Sequence, residues 1–150
     1  MSLKEQITAD MKTAMRAREA VRLSTIRLLL AAIRQREIDE RIELDDAAVL
    51  TVIEKQIKQR RDSVEQYTKA GRAELAASET AEIDVLMAYL PVQASEAEVA
   101  AAVDAAIAQA GATGPGQMGA VMGLLKTQLG GKADMAKVSG VVRARLAGTA

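Results

Sequence analysis

The chain has no cysteine, no histidine, no phenylalanine and no tryptophan, and only two tyrosines. Without histidine or cysteine there is no Ser-His-Asp triad, no thiol nucleophile, no disulfide and none of the common Cys/His zinc sites. With so few aromatic rings, bases of a nucleic acid have almost nothing to stack on. Charge of one sign is also lacking: 20 basic residues balance 20 acidic ones. That balance argues against a strongly polyanion-seeking protein and leaves room for a local basic patch. Long hydrophobic runs are missing too. The longest uncharged stretch, residues 105–125, contains five Gly, one Pro and two Gln and makes a poor membrane span. The first residues, Met-Ser-Leu-Lys-Glu-Gln, show no apolar signal-peptide core. A cytosolic location, with no membrane partner, is the resulting expectation.

What is present is a helix former's alphabet. Alanine fills 30 of the 150 positions, beside many Leu, Glu, Lys, Arg and Gln. No strand pattern and no internal repeat is visible, so the expected fold class is all-α. Composition changes at Leu90-Pro91-Val92-Gln93-Ala94. Residues 1–90 carry 15 basic and 16 acidic residues, whereas residues 91–150 carry 5 and 4 but nine of the ten glycines. Pro91 disfavours helical geometry at Leu90. This predicts a four-helix region over 1–90, a linker over 91–94 and a small three-helix domain over 95–150.

In the first region, Ser2 with Glu5 forms a capping box, and Leu3, Ile7, Met11 and Ala14 form one apolar stripe. Extending the stripe past Ala17-Arg18 would bury Arg18, Arg22 or Thr25, so a break is expected there. A second helix follows from about Glu19 to Arg41 and would reach about 35 Å. Between Ile26 and Ile33 only Arg27 interrupts its apolar character, a pattern of a helix packed on several sides. The third helix starts at Asp45, with Leu44 and Val49 as a hydrophobic staple, and Gly71 suits its end. Its inner face should hold Val49, Ile53, Ile57, Val64 and Tyr67. The fourth runs from about Arg72 to Tyr89, with Leu75, Ile83, Leu86 and Leu90 inward. In the second region Ser95 with Glu98 opens a helix that Gly111 ends. Met118, Val121, Met122, Leu125 and Leu129 mark the next, stopped by Gly130-Gly131. Asp134 caps the last, with Val138, Val142 and Leu146 inward.

Several residue groups invite a chemical reading. Gly114-Pro115-Gly116-Gln117-Met118-Gly119 matches G-x-G-x-x-G, but the segment before it reads as a helix rather than the strand a dinucleotide fold requires. Gly116, Gly119, Ala120 and Gly123 form a small-residue face, suited to a tight helix crossing or to close approach of a nucleic-acid backbone. Arg27, Arg60, Glu79 and Glu82 lie on or beside apolar stripes. Unpaired buried charges are costly, so a structural ion-pair network of these four is expected. An enzyme using these acids would need a solvent-open pocket at Glu79 or Glu82. No nucleophile, metal-ligand set or phosphate loop accompanies them, so no catalytic residue, metal or cofactor is assigned. The acidic loop of Glu37, Asp39, Glu40, Glu43, Asp45 and Asp46 lacks the spacing and glycine of an EF-hand and reads as solvated. Residues 105–150 carry a net charge of +4 through Lys126, Lys132, Lys137, Arg143 and Arg145 against Asp134. Lys132 in a Gly-Gly turn beside a helix N-terminus could grip phosphate, or belong to an ordinary basic surface.

The order of several segments is similar to one family. Arg22-Leu23-Ser24-Thr25-Ile26-Arg27-Leu28-Leu29 is followed by Ile57-Lys58-Gln59-Arg60-Arg61-Asp62-Ser63. Tyr67-Thr68-Lys69-Ala70-Gly71-Arg72, Glu79, Glu82-Ile83 and Tyr89-Leu90-Pro91 come next. Met118-Gly119-Ala120-Val121-Met122 and Gly130-Gly131-Lys132-Ala133-Asp134 complete the series. Over essentially its whole length the chain resembles the GatB/YqeY family, in particular the stand-alone YqeY-like proteins. The resemblance implies a two-part helical fold and kinship with the tail of the B subunit of glutamine-dependent aspartyl/glutamyl-tRNA amidotransferase. There the tail helps hold tRNA while the chemistry occurs elsewhere. It thus implies tRNA, a synthetase or an amidotransferase subunit as partners. It also implies a carbon–nitrogen ligase assignment with glutamine as amide donor, although this chain has no counterpart of the catalytic domain. The basic cluster at Lys126, Lys132, Lys137, Arg143 and Arg145 becomes the expected RNA contact. The alternative is a protein-interaction module without RNA binding, for which exposed Met118, Met122 or Met135 would speak.

Overall fold

A computed structural model describes residues 1–148. These residues form seven α-helices and one short 3-10 turn, with no strand among them. The helices are α1 (Leu3–Ala17), α2 (Ala20–Glu40), α3 (Asp46–Lys69), α4 (Ala73–Met87), α5 (Glu96–Ala110), α6 (Met118–Leu129) and α7 (Met135–Gly148). The chain divides into two compact units, Met1–Leu90 and Pro91–Ala150, and each has its own aliphatic core. Among the described residues no helix is long and apolar enough to cross a membrane.

In the first unit local chemistry sets the helix ends. Ser2 Oγ accepts from the Glu5 amide at 3.1 Å, and Glu5 Oε2 accepts from the Ser2 amide at 2.9 Å, completing the capping box. Between α1 and α2 the break falls at Arg18, which turns left-handed with φ 58° although it is not glycine. The Arg18 and Glu19 amides then donate to Met15 O and Ala14 O, so the end of α1 does not leave those carbonyls bare. Arg41 ends α2 in the same way, with φ 54°. Asp45 Oδ1 caps α3 by accepting from the Ala48 amide, and the buried pair Leu44 and Val49 staples its entry. The last turn of α3 closes through Gly71, at φ 71°. The inner face of α3 is Val49, Val52, Ile53 and Ile57; farther along, Val64 and Tyr67 are only half-buried.

The first core joins Ile7, Ile26, Leu29, Ile33, Leu44, Val49, Val52, Ile53, Ile57 and Leu86. The α2 helix touches α1, α3 and α4, yet it is not enclosed. It buries Thr25, Ile26, Leu29 and Ile33 and leaves Val21, Leu28 and Ile38 between 52% and 63% exposed. The all-round apolar pattern of α2 therefore covers one buried face and one open one. Thr25, a fully buried hydroxyl, is satisfied by donating to Val21 O at 2.9 Å.

The acidic loop is not merely solvated. Lys4 Nζ lies 2.9 Å from Glu37 Oε2 and 3.2 Å from Glu43 Oε1, and the Leu3 amide donates to Asp46 Oδ1 at 2.9 Å. Glu37 Oε2 also accepts from the Leu44 amide at 2.9 Å. This clasp ties the N-terminus of α1 to the loop that launches α3. The Lys4 hydrogen bond, with help from the Leu44 amide, holds the Glu37 carboxyl below its ordinary value of 4.5.

In the second unit α5, α6 and α7 bury Val103, Ala106, Val121, Leu125, Leu129, Val138, Val142 and Leu146. Ser95 Oγ caps α5 by accepting from the Glu98 amide, and Gly111 at φ 63° ends it. Gln93 and Ala94, expected in a linker, are pinned within this unit. Gln93 Nε2 donates to Gly131 O and the Ala94 amide to Lys132 O, both at 2.8 Å.

Two outcomes test this packing. Leu29→Ala should destabilise the first unit by about 2–5 kcal/mol, whereas Leu28→Ala one residue earlier should stay within about 0.5 kcal/mol of wild type. Urea unfolding followed by circular dichroism reads both. A carboxyl with a depressed folded pKa stabilises above its unfolded pKa and loses that contribution as pH falls through the folded value. The first unit should therefore lose stability on acidification below about pH 5, and Glu37→Gln should flatten that slope while lowering the pH 7 midpoint. The difference between the two proteins isolates Glu37 from Glu54, whose partial burial moves its pKa upward and acts in the opposite sense.

Candidate nucleic-acid interface

In the second unit Lys132 sits in a turn that depends on glycine. A Cβ on Gly130 would lie 2.6 Å from Lys126 O, below any real contact, and Gly131 adopts φ 76°. The turn places Lys132 on the surface with its backbone engaged: its amide donates to Leu129 O at 2.8 Å, and its carbonyl accepts from Ala94. Asp134 opens α7, and its Oδ1 accepts from the Ala136 amide at 3.0 Å. A carboxylate thus occupies the N-terminus of α7, where a phosphate would have to sit. That carboxylate engages the Ala136 amide and places negative charge at the helix end, leaving the Lys132 ammonium as the cation of the turn.

The five cations do not form one equal cluster. Arg145 Nη1 is paired with Asp104 Oδ1 on α5, which offsets its charge. Lys126 near the end of α6, Lys132 in the turn, and Lys137 and Arg143 on α7 are exposed. None of these four has a carboxylate within ion-pair distance among the described residues. Lys137 and Arg143 are six residues apart, about 120° around the helix, so they flank its outer side.

The small-residue face lies open. Gly116, Gly119, Ala120 and Gly123 are all exposed, and a Cβ built at any of the three glycines would meet nothing within 4 Å. No helix crosses this face among the described residues. Helical spacing continues it from Gly119 and Gly123 to Lys126. Gly114-Pro115-Gly116 is a turn following a helix, with Pro115–Gln117 as one 3-10 turn, so the dinucleotide reading has no strand to stand on. Met118, Met122 and Met135 are half-buried and pack on the second core.

In the first unit the structure joins two of the four residues expected in an ion-pair network. Arg60 Nε lies 3.0 Å from Glu82 Oε2 on α4, with the two side chains 11% and 26% exposed. Arg60 Nη1 also reaches Gln56 O and Oε1. Glu79 is half-buried, whereas Arg27 is exposed, with Nη2 3.9 Å from Met15 Sδ. Arg27 sits on the open face of α2, where a guanidinium keeps its water and needs no carboxylate. An open groove of about 510 Å³ does run past Glu82, but Ala20, Val21, Ala77 and Ala81 line most of it and Arg60 holds the carboxylate. A second cleft, of about 480 Å³, is lined by Asp10, Arg22, Asp84 and Tyr89 among others. There the Tyr89 hydroxyl donates to Asp10 Oδ2 at 2.7 Å. Burial, reinforced by that bond, pushes the phenol far above its ordinary value of 10.0, so it stays a proton donor in a structural bond. Among the described residues no three carboxylates converge where a metal ion could sit. The Tyr89–Asp10 bond escaped sequence reasoning, because 79 positions separate its partners.

Comparison with known proteins adds the following. Residues 4–146 match the family described as Yqey-like protein. "Altered inheritance of mitochondria protein 41, mitochondrial" of Lachancea thermotolerans is 43% identical over 98 residues, covering 63% of this chain and 52% of that protein. Its namesake in Eremothecium gossypii is 41% identical over 100 residues, covering 64% and 54%. In Pyrenophora tritici-repentis the likeness is 32% over 131 residues, covering 85% and 71%. The chain thus spans about half the length of the first two of these relatives. Their names place these relatives in mitochondria, which overturns the expected cytosolic location.

Proposed function

The chain belongs to the YqeY-like family, and from that premise we propose that it is a helical accessory protein of the tRNA-dependent amidotransferase type. It binds tRNA through its second unit. The observation that carries this reading is the open glycine face of α6 leading to Lys126. A helix without side chains on one side lets a bulky, rigid backbone approach closely. Exposed cations of the same unit, Lys126 on α6, Lys132 in the turn, and Lys137 and Arg143 on α7, supply the attraction. With no aromatic residue in the second unit, contacts fall on phosphates and shape rather than on bases. The ligase chemistry implied by the resemblance then belongs to a partner, a synthetase or an amidotransferase subunit, and this chain holds or delivers the RNA.

Fluorescence anisotropy with labelled tRNA, over a salt series and against an unrelated structured RNA, tests the reading. Four phosphate contacts predict an affinity loss of about 10²-fold between about 50 and 200 mM salt. Lys132→Glu should weaken binding severalfold, and Arg145→Gln should change it less because Asp104 already pairs with that side chain. Gly123→Leu should cost at least about tenfold in affinity while leaving the unit folded, since open space surrounds that position. Equal binding to any RNA, or full binding by Gly123→Leu, removes the glycine face from the site.

A further inference from the structure

The outer face of α2 carries a pattern that the RNA reading does not use. Val21, Ser24, Leu28, Ala31, Gln35 and Ile38 are all exposed. Their spacing alternates three and four residues without a slip, which is the a/d seam of a coiled coil. Arg41 is the left-handed cap beyond the last turn of α2, but within the helix the positions immediately before the a residues Leu28 and Gln35 are Arg27 and Arg34. These are the g positions, whose charges set partner choice in helix pairing. The seam runs about 26 Å, nearly five turns. Val21, Leu28 and Ile38, each more than half exposed, lie on it. Along the first turns of α2, the side of the seam facing α4 opens into the shallow groove with Ala77 and Ala81, so a docked helix has room to settle.

We infer that this face docks an amphipathic helix of another protein, one with small and aliphatic seam residues and a flank of glutamate or aspartate. Charge decides the occupant. Arg27, Arg34 and Arg41 are exposed, and none has a carboxylate within ion-pair distance among the described residues. A second copy laid antiparallel sets arginine against arginine. Laid parallel it sets Ala32 against Arg27 and Asp39 against Arg34, a single carboxylate. A partner helix with acids at the facing positions pairs with Arg27 and Arg34 together. RNA would meet the arginines but gains nothing from the exposed Val21, Leu28 and Ile38 beside them.

Two synthetic helices test this on the full chain. Both carry Leu at a and Ala at d; one has Glu at e and g, the other Lys. Anisotropy of the labelled peptides should show the Glu helix binding at least about tenfold tighter than the Lys helix. Arg27→Glu with Arg34→Glu should reverse that order, and Leu28→Asp should abolish binding of the Glu helix. All three positions are exposed, and unchanged helical circular dichroism verifies each fold. Absence of binding by either peptide at about 100 µM overturns the inference. Equal binding of both peptides, or indifference to Leu28→Asp, does so too. A Leu28→Asp-sensitive dimer in sedimentation assigns the face to a second copy instead. A tenfold loss of tRNA affinity in the double arginine variant assigns it to RNA; either result overturns the inference.

Discussion

The inner face of α2 is the surface on which α1, α3 and α4 all bury their apolar stripes. Ile26, Leu29 and Ile33 are at most 1% exposed, and the first unit has no cysteine pair to hold it if that packing fails. Its only two rings, Tyr67 and Tyr89, are half-buried, so the fully buried core is aliphatic. Close interdigitation of branched chains must therefore supply the cohesion that larger rings provide elsewhere. The polar interactions are arranged around that contact. Thr25 is closed on its own helix, Arg60 and Glu82 join α3 to α4, and Lys4 clasps the loop before α3. The Thr25 hydroxyl is fully buried yet satisfied, and the charged pairs stay at the edge of the core.

The second unit is governed by a backbone constraint. Gly130 approaches Lys126 O too closely for any Cβ, and Gly131 is left-handed. The turn they make receives Gln93 and Ala94 and turns the chain from α6 into α7. Cations end up on the outside because the three inward stripes leave them nowhere else. Outward placement alone does not make a phosphate site, and Asp134 and Asp104 show how acids nearby reduce the available positive field.

The helical architecture was readable residue by residue. Ser2, Asp45 and Ser95 cap the helices whose starts they mark, and Gly71 and Gly111 close helix ends. Ile7, Leu29, Leu125, Val142 and Leu146 are buried as their periodicity requires. The candidate site was legible in part. Lys126, Lys132, Lys137 and Arg143 are exposed, as positions outside the apolar stripes. The pairing of Arg145 with Asp104 was not legible, because 41 positions separate the two. Nor was the open state of the α6 glycines, since a small-residue face suits both a helix crossing and an empty surface.

By itself the sequence determined where helices begin and end and which residues form each stripe. Caps, left-handed turns and the 3.6-residue period act over neighbours only a few positions apart. Tertiary structure alone decided which of the two apolar faces of α2 is covered, whether Arg27 needs a carboxylate, and what stands above Gly119 and Gly123. These outcomes depend on which distant segments arrive at a surface. Burial energy is proportional to the area those segments actually cover, and a local pattern carries no record of that area.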